Sequence, residues 1–268
     1  MNLARKVRPV FAKTNKWLVG IGILLGAAHP ASAQDTAAWH FVTEPFPPYT
    51  YELAGRGAGP MVDVLNTVCA RLKQACRVDV MPWRRALAMA VNGEVDGVFT
   101  VADTPERRAV LYVSAPVVEA QYAFFALAGN PFEFSRPNDL SGRTVGVYGP
   151  SATSSTLQSL LGGKEADMVI EIDNRTVLRK LRAGRYGPDG LALVNERVAQ
   201  DLIERESLSG LRQAGTTTPF SYHFGFSRKH FDAANVTRFD QVVDDLCRSG
   251  RLQDLLNAYG MRAPTCRN

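Results

Sequence analysis

Histidine is sparse in this chain of 268 residues, which carries four, and cysteine is as sparse at four. The three histidines beyond residue 33 are His40, His223 and His230, and none has a companion at metal-ligand spacing. His40 reads as structural within a strand and His230 as solvated near a helix start. A nucleophile elbow, a P-loop and a dinucleotide-binding glycine fingerprint are all missing. Gly142-Arg-Thr-Val-Gly146 is a turn into a strand, a structural use of glycine. No metal or cofactor is therefore expected. After residue 33 no apolar run is long enough to span a bilayer. No repeat period is visible, and glycine and proline are near average, which excludes solenoid, collagen-like and disordered readings.

An excess of one charge is missing too, although the formal net charge of +5 suggests otherwise. Five of the 31 basic residues, Arg5, Lys6, Arg8, Lys13 and Lys16, lie in an acid-free opening segment. The remainder is balanced, with bases scattered among acids, so no phosphate-binding face and no nucleic-acid partner is expected. The opening segment has a basic stretch to Lys16, an apolar run from Trp17 to Ala28, and Ala31-Ser32-Ala33. That is the layout of a secretory signal peptide cleaved after Ala33. The apolar run is about a dozen residues, short of the roughly 20 a membrane span needs. No cysteine follows it to carry a lipid. The expectation is a periplasmic protein of residues 34–268.

All four cysteines, Cys69, Cys76, Cys247 and Cys266, fall in the exported part, where an even count favours disulfides. Local closure suggests Cys69–Cys76 and Cys247–Cys266. Seven residues of unbroken helix would hold Cys69 and Cys76 about 10 Å apart, too far to bridge. The pairing therefore predicts that the helix holding Cys69 stops near Gln74 and the chain turns back.

The rest alternates strand-like runs with helical patterns. Met61–Gln74 places Val64, Leu65, Val68 and Leu72 at helical spacing. Tyr122–Leu127 is uninterrupted and apolar, which suits a buried strand. After a loop with Pro131 and Pro137 the alternation restarts, and such βαβαβ order implies mainly parallel sheets flanked by helices. With Tyr122–Leu127 and Tyr222–Ser227 as crossing strands, residues 34–127 and 222–268 form one discontinuous lobe and 128–221 an inserted one. Two α/β lobes leave a cleft at their strand ends, where such sheets bind ligands.

Several segments in order then carry a resemblance. They are Glu44-Pro-Phe-Pro-Pro-Tyr49, Gly59 with Asp63, Pro82-Trp83-Arg-Arg85-Ala-Leu87 and Gly93-Glu-Val-Asp96-Gly97. Thr104-Pro-Glu-Arg107, Ser114-Ala-Pro116, Asp139-Leu-Ser-Gly142 and Val145-Gly-Val147 follow. Over roughly residues 39–260 the chain resembles the type II periplasmic solute-binding proteins serving polar amino-acid ABC transporters. The resemblance implies a two-lobe fold and a ligand held between the lobes. Phe46, with Tyr49 close by, stands where the family has its aromatic platform, and core packing is the alternative for both. Arg107 in Thr-x-x-Arg matches the carboxylate-binding arginine. Thr100 falls where hydroxyl and backbone donors reach the same carboxylate. Ser151 and Ala152 open a helix whose N–H groups form an anion site, with Ser151 serving equally as a helix cap.

Two departures accompany the match. Asn195 stands where the family often has an aspartate for the ligand's α-ammonium, and the Asp96–Arg107 loop is about one residue short. Both argue against an ordinary α-amino acid. Glu44 can supply the missing negative charge or form a surface salt bridge. Trp83 and Arg85 line the cleft or belong to the core and the solvated face. The expected function is non-enzymatic capture of a small carboxylate-bearing solute by a monomer for ABC transporter membrane subunits. The alternatives are an orphan sensory binding module and a cyclohexadienyl-type dehydratase with Glu44, Glu119 or Glu196 as general acid.

Overall fold

The computed structural model describes residues 37–163 and 166–267, so the expected signal peptide and its cleavage after Ala33 lie outside the described residues. The described chain opens with β1 (Trp39–Thr43), β2 (Tyr51–Leu53), β3 (Arg56–Ala58), α1 (Pro60–Leu72), β4 (Cys76–Val80) and α2 (Trp83–Asn92). Next come β5 (Gly97–Ala102), α3 (Pro105–Val110), β6 (Leu111–Val113), β7 (Val118–Ala120) and β8 (Tyr122–Leu127). After these follow β9 (Thr144–Tyr148), α4 (Ala152–Leu161), β10 (Asp167–Glu171), α5 (Asn174–Arg182), β11 (Leu191–Asn195) and α6 (Glu196–Arg205). The last elements are β12 (Leu211–Thr216), β13 (Phe220–Ser227), α7 (Ala233–Arg248) and α8 (Arg251–Asn257).

The strands form two main sheets, one for each lobe. One runs β4-β1-β5-β13-β6, with β7 also on β13, and the other runs β10-β9-β11-β8-β12. Each is parallel where βαβ units build it (β1 with β4 and β5, β9 with β10 and β11) and antiparallel where a crossing strand enters. The crossing strands are β13 in the first sheet and β8 in the second. In the first lobe Phe41, Phe99, Phe224, Phe226 and Phe239 are fully buried, and all but Phe99 meet edge-on, for instance Phe41–Phe226 at 5.8 Å. Leu140, Leu157, Leu193 and Phe124 do the same work in the second.

The sheet pairing moves one expected boundary. Tyr122–Leu127, expected within the first lobe, is a central strand of the second sheet, between β11 and β12. Its apolar side chains are buried on both faces, which is why the run shows no alternation. The chain therefore passes between sheets at Gln121 and again at residues 217–219. There Gln121 Nε2 donates to the Thr217 carbonyl at 2.6 Å, and the Thr217 N–H donates to the Tyr122 carbonyl at 2.9 Å.

Both disulfides form as expected, with Cα–Cα distances of 6.2 Å for Cys69–Cys76 and 5.6 Å for Cys247–Cys266. Helix α1 ends at Leu72, Lys73 takes a left-handed conformation (φ 54°), and the Gln74 N–H returns to the Cys69 carbonyl. That reversal brings Cys76 back to its partner. At the other end of α1, Gly59 has φ 108°, and a Cβ there would lie 2.7 Å from the Tyr49 carbonyl. Only glycine lets the helix start this close to the turn that carries Phe46 and Tyr49.

Candidate functional site in the interlobe cleft

Three features of β5 and α3 place the first-lobe side of the site. Thr100 has φ 67°, a costly conformation for a β-branched residue, where the β5–β13 register shifts between His223 and Phe224. Its Oγ1 is buried with no hydrogen-bond partner among the described residues. Two residues past the strand, Thr104 caps α3 by accepting from the Arg107 N–H at 3.3 Å, and Pro105 takes the first helical position.

This cap orients two adjacent arginines differently. Arg108 is exposed and pairs with Asp103 at 2.6 Å. Arg107 is half-buried, with its Cζ 5.6 Å from the Trp83 ring centroid and no carboxylate at ion-pair distance among the described residues. Burial lowers the pKa of its guanidinium, the mark of a cation partly stripped of water. A partly desolvated, unpaired guanidinium has the chemistry to hold a carboxylate through two parallel hydrogen bonds.

Trp83 is buried at the start of α2 and lines a cavity of about 500 Å³ between the lobes. Glu44 and Phe46 of the first lobe border it, as do Tyr148, Ile172 and Leu202 of the second. Arg85 does not line this cavity. It is exposed on α2, because two helical residues turn it about 200° away from Trp83. Its neighbour Arg84 is the one whose charge reaches Tyr148. Tyr148 Oη donates to Glu44 Oε2 at 3.5 Å, a bond from one lobe to the other. Burial pushes the Glu44 carboxyl up to about 8, only partly countered by that bond.

Phe46 and Tyr49 form a wall. They stack at 5.7 Å, and Tyr222 meets Tyr49 edge-on at 5.0 Å. Tyr49 is fully buried, so its ring is core and its hydroxyl faces Asn195. Asn195 ends β11 and caps α6, its Oδ1 accepting from the Val198 N–H at 3.1 Å. Its Nδ2 donates to Tyr49 Oη at 3.4 Å and Tyr222 Oη at 3.2 Å. The amide is thus spent inside the protein. Burial raises the Tyr49 and Tyr122 hydroxyls to about 12, so all these phenols stay neutral.

The second-lobe helix start resolves in favour of structure. Ser151 Oγ donates to the Tyr148 carbonyl at 2.7 Å and accepts from the Ser154 N–H at 3.2 Å, so the hydroxyl is engaged as a cap. Ala152 borders a second interlobe cavity of about 520 Å³ with Thr104 and Tyr122. Rings link the two cavities in series, from Phe46 through Tyr222 and Phe220 to Tyr122. Of the three glutamates offered for acid catalysis, Glu119 and Glu196 border a different cavity, where Glu119 lies 3.5 Å from Arg262. Glu44 alone of the three borders the Trp83 cavity. Sequence reasoning missed Tyr148 and Tyr222, which pattern alone places only in strands.

A family model described as bacterial extracellular solute-binding proteins, family 3, matches residues 40–262. No curated protein matches the chain. Among solved structures, a histidine kinase sensor domain with similarity to periplasmic binding proteins superposes with a TM-score of 0.76. It is 19% identical, over 85% of this chain and 98% of that one. An ancestral arginine-binding protein bound to arginine gives 0.72 at 18% identity, over 83% and 97%. The arginine-, lysine-, histidine-binding protein ArtJ of Geobacillus stearothermophilus gives 0.70 at 19%, over 85% and 96%. Identities this low establish the shared two-lobe fold. The family match, spanning nearly all of both sheets, establishes more: this chain belongs to the bacterial extracellular solute-binding proteins, family 3.

Proposed function

We propose that the protein is an exported binding protein that captures a small polar solute bearing a carboxylate between its lobes. The single observation that carries this reading is Arg107, a half-buried guanidinium with no carboxylate at ion-pair distance among the described residues, 5.6 Å from the ring of Trp83, which itself lines the interlobe cavity. Phe46, Tyr49 and Thr100 are the proposed first-lobe contacts. Ala152 and the α4 backbone are the proposed second-lobe ones. Closure around the solute adds contacts that neither lobe makes alone, so ligand and closed form stabilise each other. The leader, cleaved after Ala33, would deliver the chain to the periplasm, where two disulfides form. Membrane subunits of an ABC importer are the proposed receivers of the closed monomer. The fold shared with arginine-binding proteins supports this reading. A second reading, a sensory module reporting to a signalling partner, is favoured by the likeness to a histidine kinase sensor domain.

A thermal-shift screen of residues 34–268 against amino acids, dicarboxylates and prephenate-like acids tests the proposal. A ligand at 100 times its dissociation constant adds about 2.7 kcal/mol of stability. Arg107→Ala should abolish that gain, and an equal gain in the variant would refute the clamp. Product formation from a responding acid would move the protein to the dehydratases. Solute uptake that needs a permease separates importer from sensor.

A further inference from the structure

Residues 258–267 form a strap beside the hinge, tied to the first lobe along its length. Tyr259 Oη donates to Asp63 Oδ2 of α1 at 2.5 Å. Gln253 holds the next stretch from two sides, its Nε2 donating to the Met261 carbonyl at 3.0 Å and its Oε1 accepting from the Ala263 N–H at 2.9 Å. The Glu119 N–H of β7 donates to the Arg262 carbonyl at 2.9 Å, two residues before the chain passes between sheets at Gln121. At the far end Cys266 is bonded to Cys247, and Arg267 pairs with Asp244 at 2.8 Å. A strap fastened this often is a rigid extension of its lobe.

One residue of the strap faces the other lobe. Gly260 takes a left-handed turn (φ 61°), and its carbonyl accepts from Arg197 Nη2 of α6. Arg197, Met261 and Arg262 border a cavity of about 310 Å³ whose remaining walls include Gln121 and Pro219 of the passages between the sheets. Arg197 is exposed and has no carboxylate at ion-pair distance among the described residues. It is also the second residue of α6, where the positive end of the helix disfavours a cation. Its own lobe gives it nothing to bind, and its partner lies across the joint. Two other bonds cross between the lobes at the long limit, Tyr148 to Glu44 at 3.5 Å and Asn195 to Tyr49 at 3.4 Å.

We infer that Arg197 and the strap form a latch that holds the two lobes at the angle of this structure, built from residues that border neither the Trp83 cavity nor the Tyr122 cavity. A hydrogen bond between two moving bodies survives over a narrow range of angles. It therefore weights the equilibrium between lobe arrangements without adding to the ligand's own contacts. An exposed guanidinium–carbonyl bond is worth about as much as a surface ion pair, so its loss should change the ratio of arrangements about threefold. A ligand that binds one arrangement then loses affinity in proportion to the fraction lost. Arg197 is thus a positioning residue for capture. The latch belongs to the unliganded chain, and it stands or falls separately from the reading that Arg107 takes a carboxylate.

Distances between spin labels on the unliganded mature chain test this. Ala88→Cys on α2 and Gln158→Cys on α4 place one label at an exposed position of each lobe. In that background Arg197→Ala should move population away from the parent's main interlobe distance, changing the ratio of arrangements about threefold. Arg197→Met keeps the stem and removes the donor, and it should shift the ratio as far. Arg205→Ala removes an arginine of the same helix whose partner, Asp201, lies within the lobe, and it should leave the distribution as it was. Superimposable distributions for the parent and Arg197→Ala overturn the latch, whatever happens to the melting temperature. A shift in Arg197→Ala that is absent from Arg197→Met also overturns it, since the cause would be lost bulk and not a lost bond. An equal shift in Arg205→Ala does the same, since the cause would be net charge.

Discussion

Two glutamates, one in each lobe, are both enclosed by protein and both accept from a tyrosine hydroxyl, yet their surroundings differ in one respect. Glu171, at the end of β10, has Lys180 Nζ at 2.8 Å from each carboxylate oxygen and Tyr186 Oη at 3.2 Å. Glu44, just after β1, has Tyr148 alone. The first is a completed ion pair holding α5 against its sheet. The second faces a cavity of about 500 Å³ into which a missing charge can enter. Arginines repeat the contrast, with Arg108 answered by Asp103 and Arg107 unanswered. A charge met by a partner belongs to the fold, and one left open beside a cavity is a candidate for ligand binding.

Removing the answering charge tests the first half of that contrast. Lys180→Met should cost about 2 kcal/mol in chemical denaturation, below the ~3–5 kcal/mol of a fully buried pair because Lys180 is itself half exposed. A loss too small to measure would make Glu171 no more structural than Glu44. The second half predicts a pH signature. Glu44 has a folded pKa raised from 4.5 to about 8, so its contribution to stability is full below 4.5 and is lost as pH rises towards 8. Glu44→Gln should therefore flatten the fall in melting temperature between pH 5 and pH 8, leaving the variant the more stable protein at pH 8. Parallel melting curves for the two proteins would show that Glu44 is effectively hydrated. The smallest effect is expected at Thr100, whose hydroxyl is buried without a partner. Thr100→Val should raise the stability of the unliganded protein by less than about 1 kcal/mol while weakening ligand capture. Unchanged capture would remove Thr100 from the site.

Much of this architecture is legible before any coordinates. Val64, Leu65, Val68 and Leu72 mark α1 because one helical face must be apolar, and the Cys69–Cys76 spacing fixes where that helix stops. Arg107 is reached through the family resemblance, by its Thr104-x-x-Arg107 match, and Thr104 and Pro105 do open a helix there. What stays hidden depends on contacts far apart in the chain. β12, Leu-Arg-Gln-Ala-Gly-Thr, is an edge strand of mixed polarity and reads as loop. The turn before α1 holds the hairpin β2–β3, three residues a side, too short for a period. Tyr222 meets Asn195 and Tyr49 only because β13 crosses between them, which no local spacing encodes. Arg85 and Ser151 are the reverse case: residue types suited to a ligand that geometry assigns to solvent and to a helix cap.

The passages between the lobes are short, Gln121 on one side and residues 217–219 on the other, and hydrogen bonds lash them together. Two brief ribbons fastened side by side behave as a door pin. They leave essentially one axis of swing, with sliding and twisting suppressed by the joint between them. On the function proposed above, a solute at Trp83 would be registered on the outer faces as a single angle, which a membrane partner could read without touching the cargo.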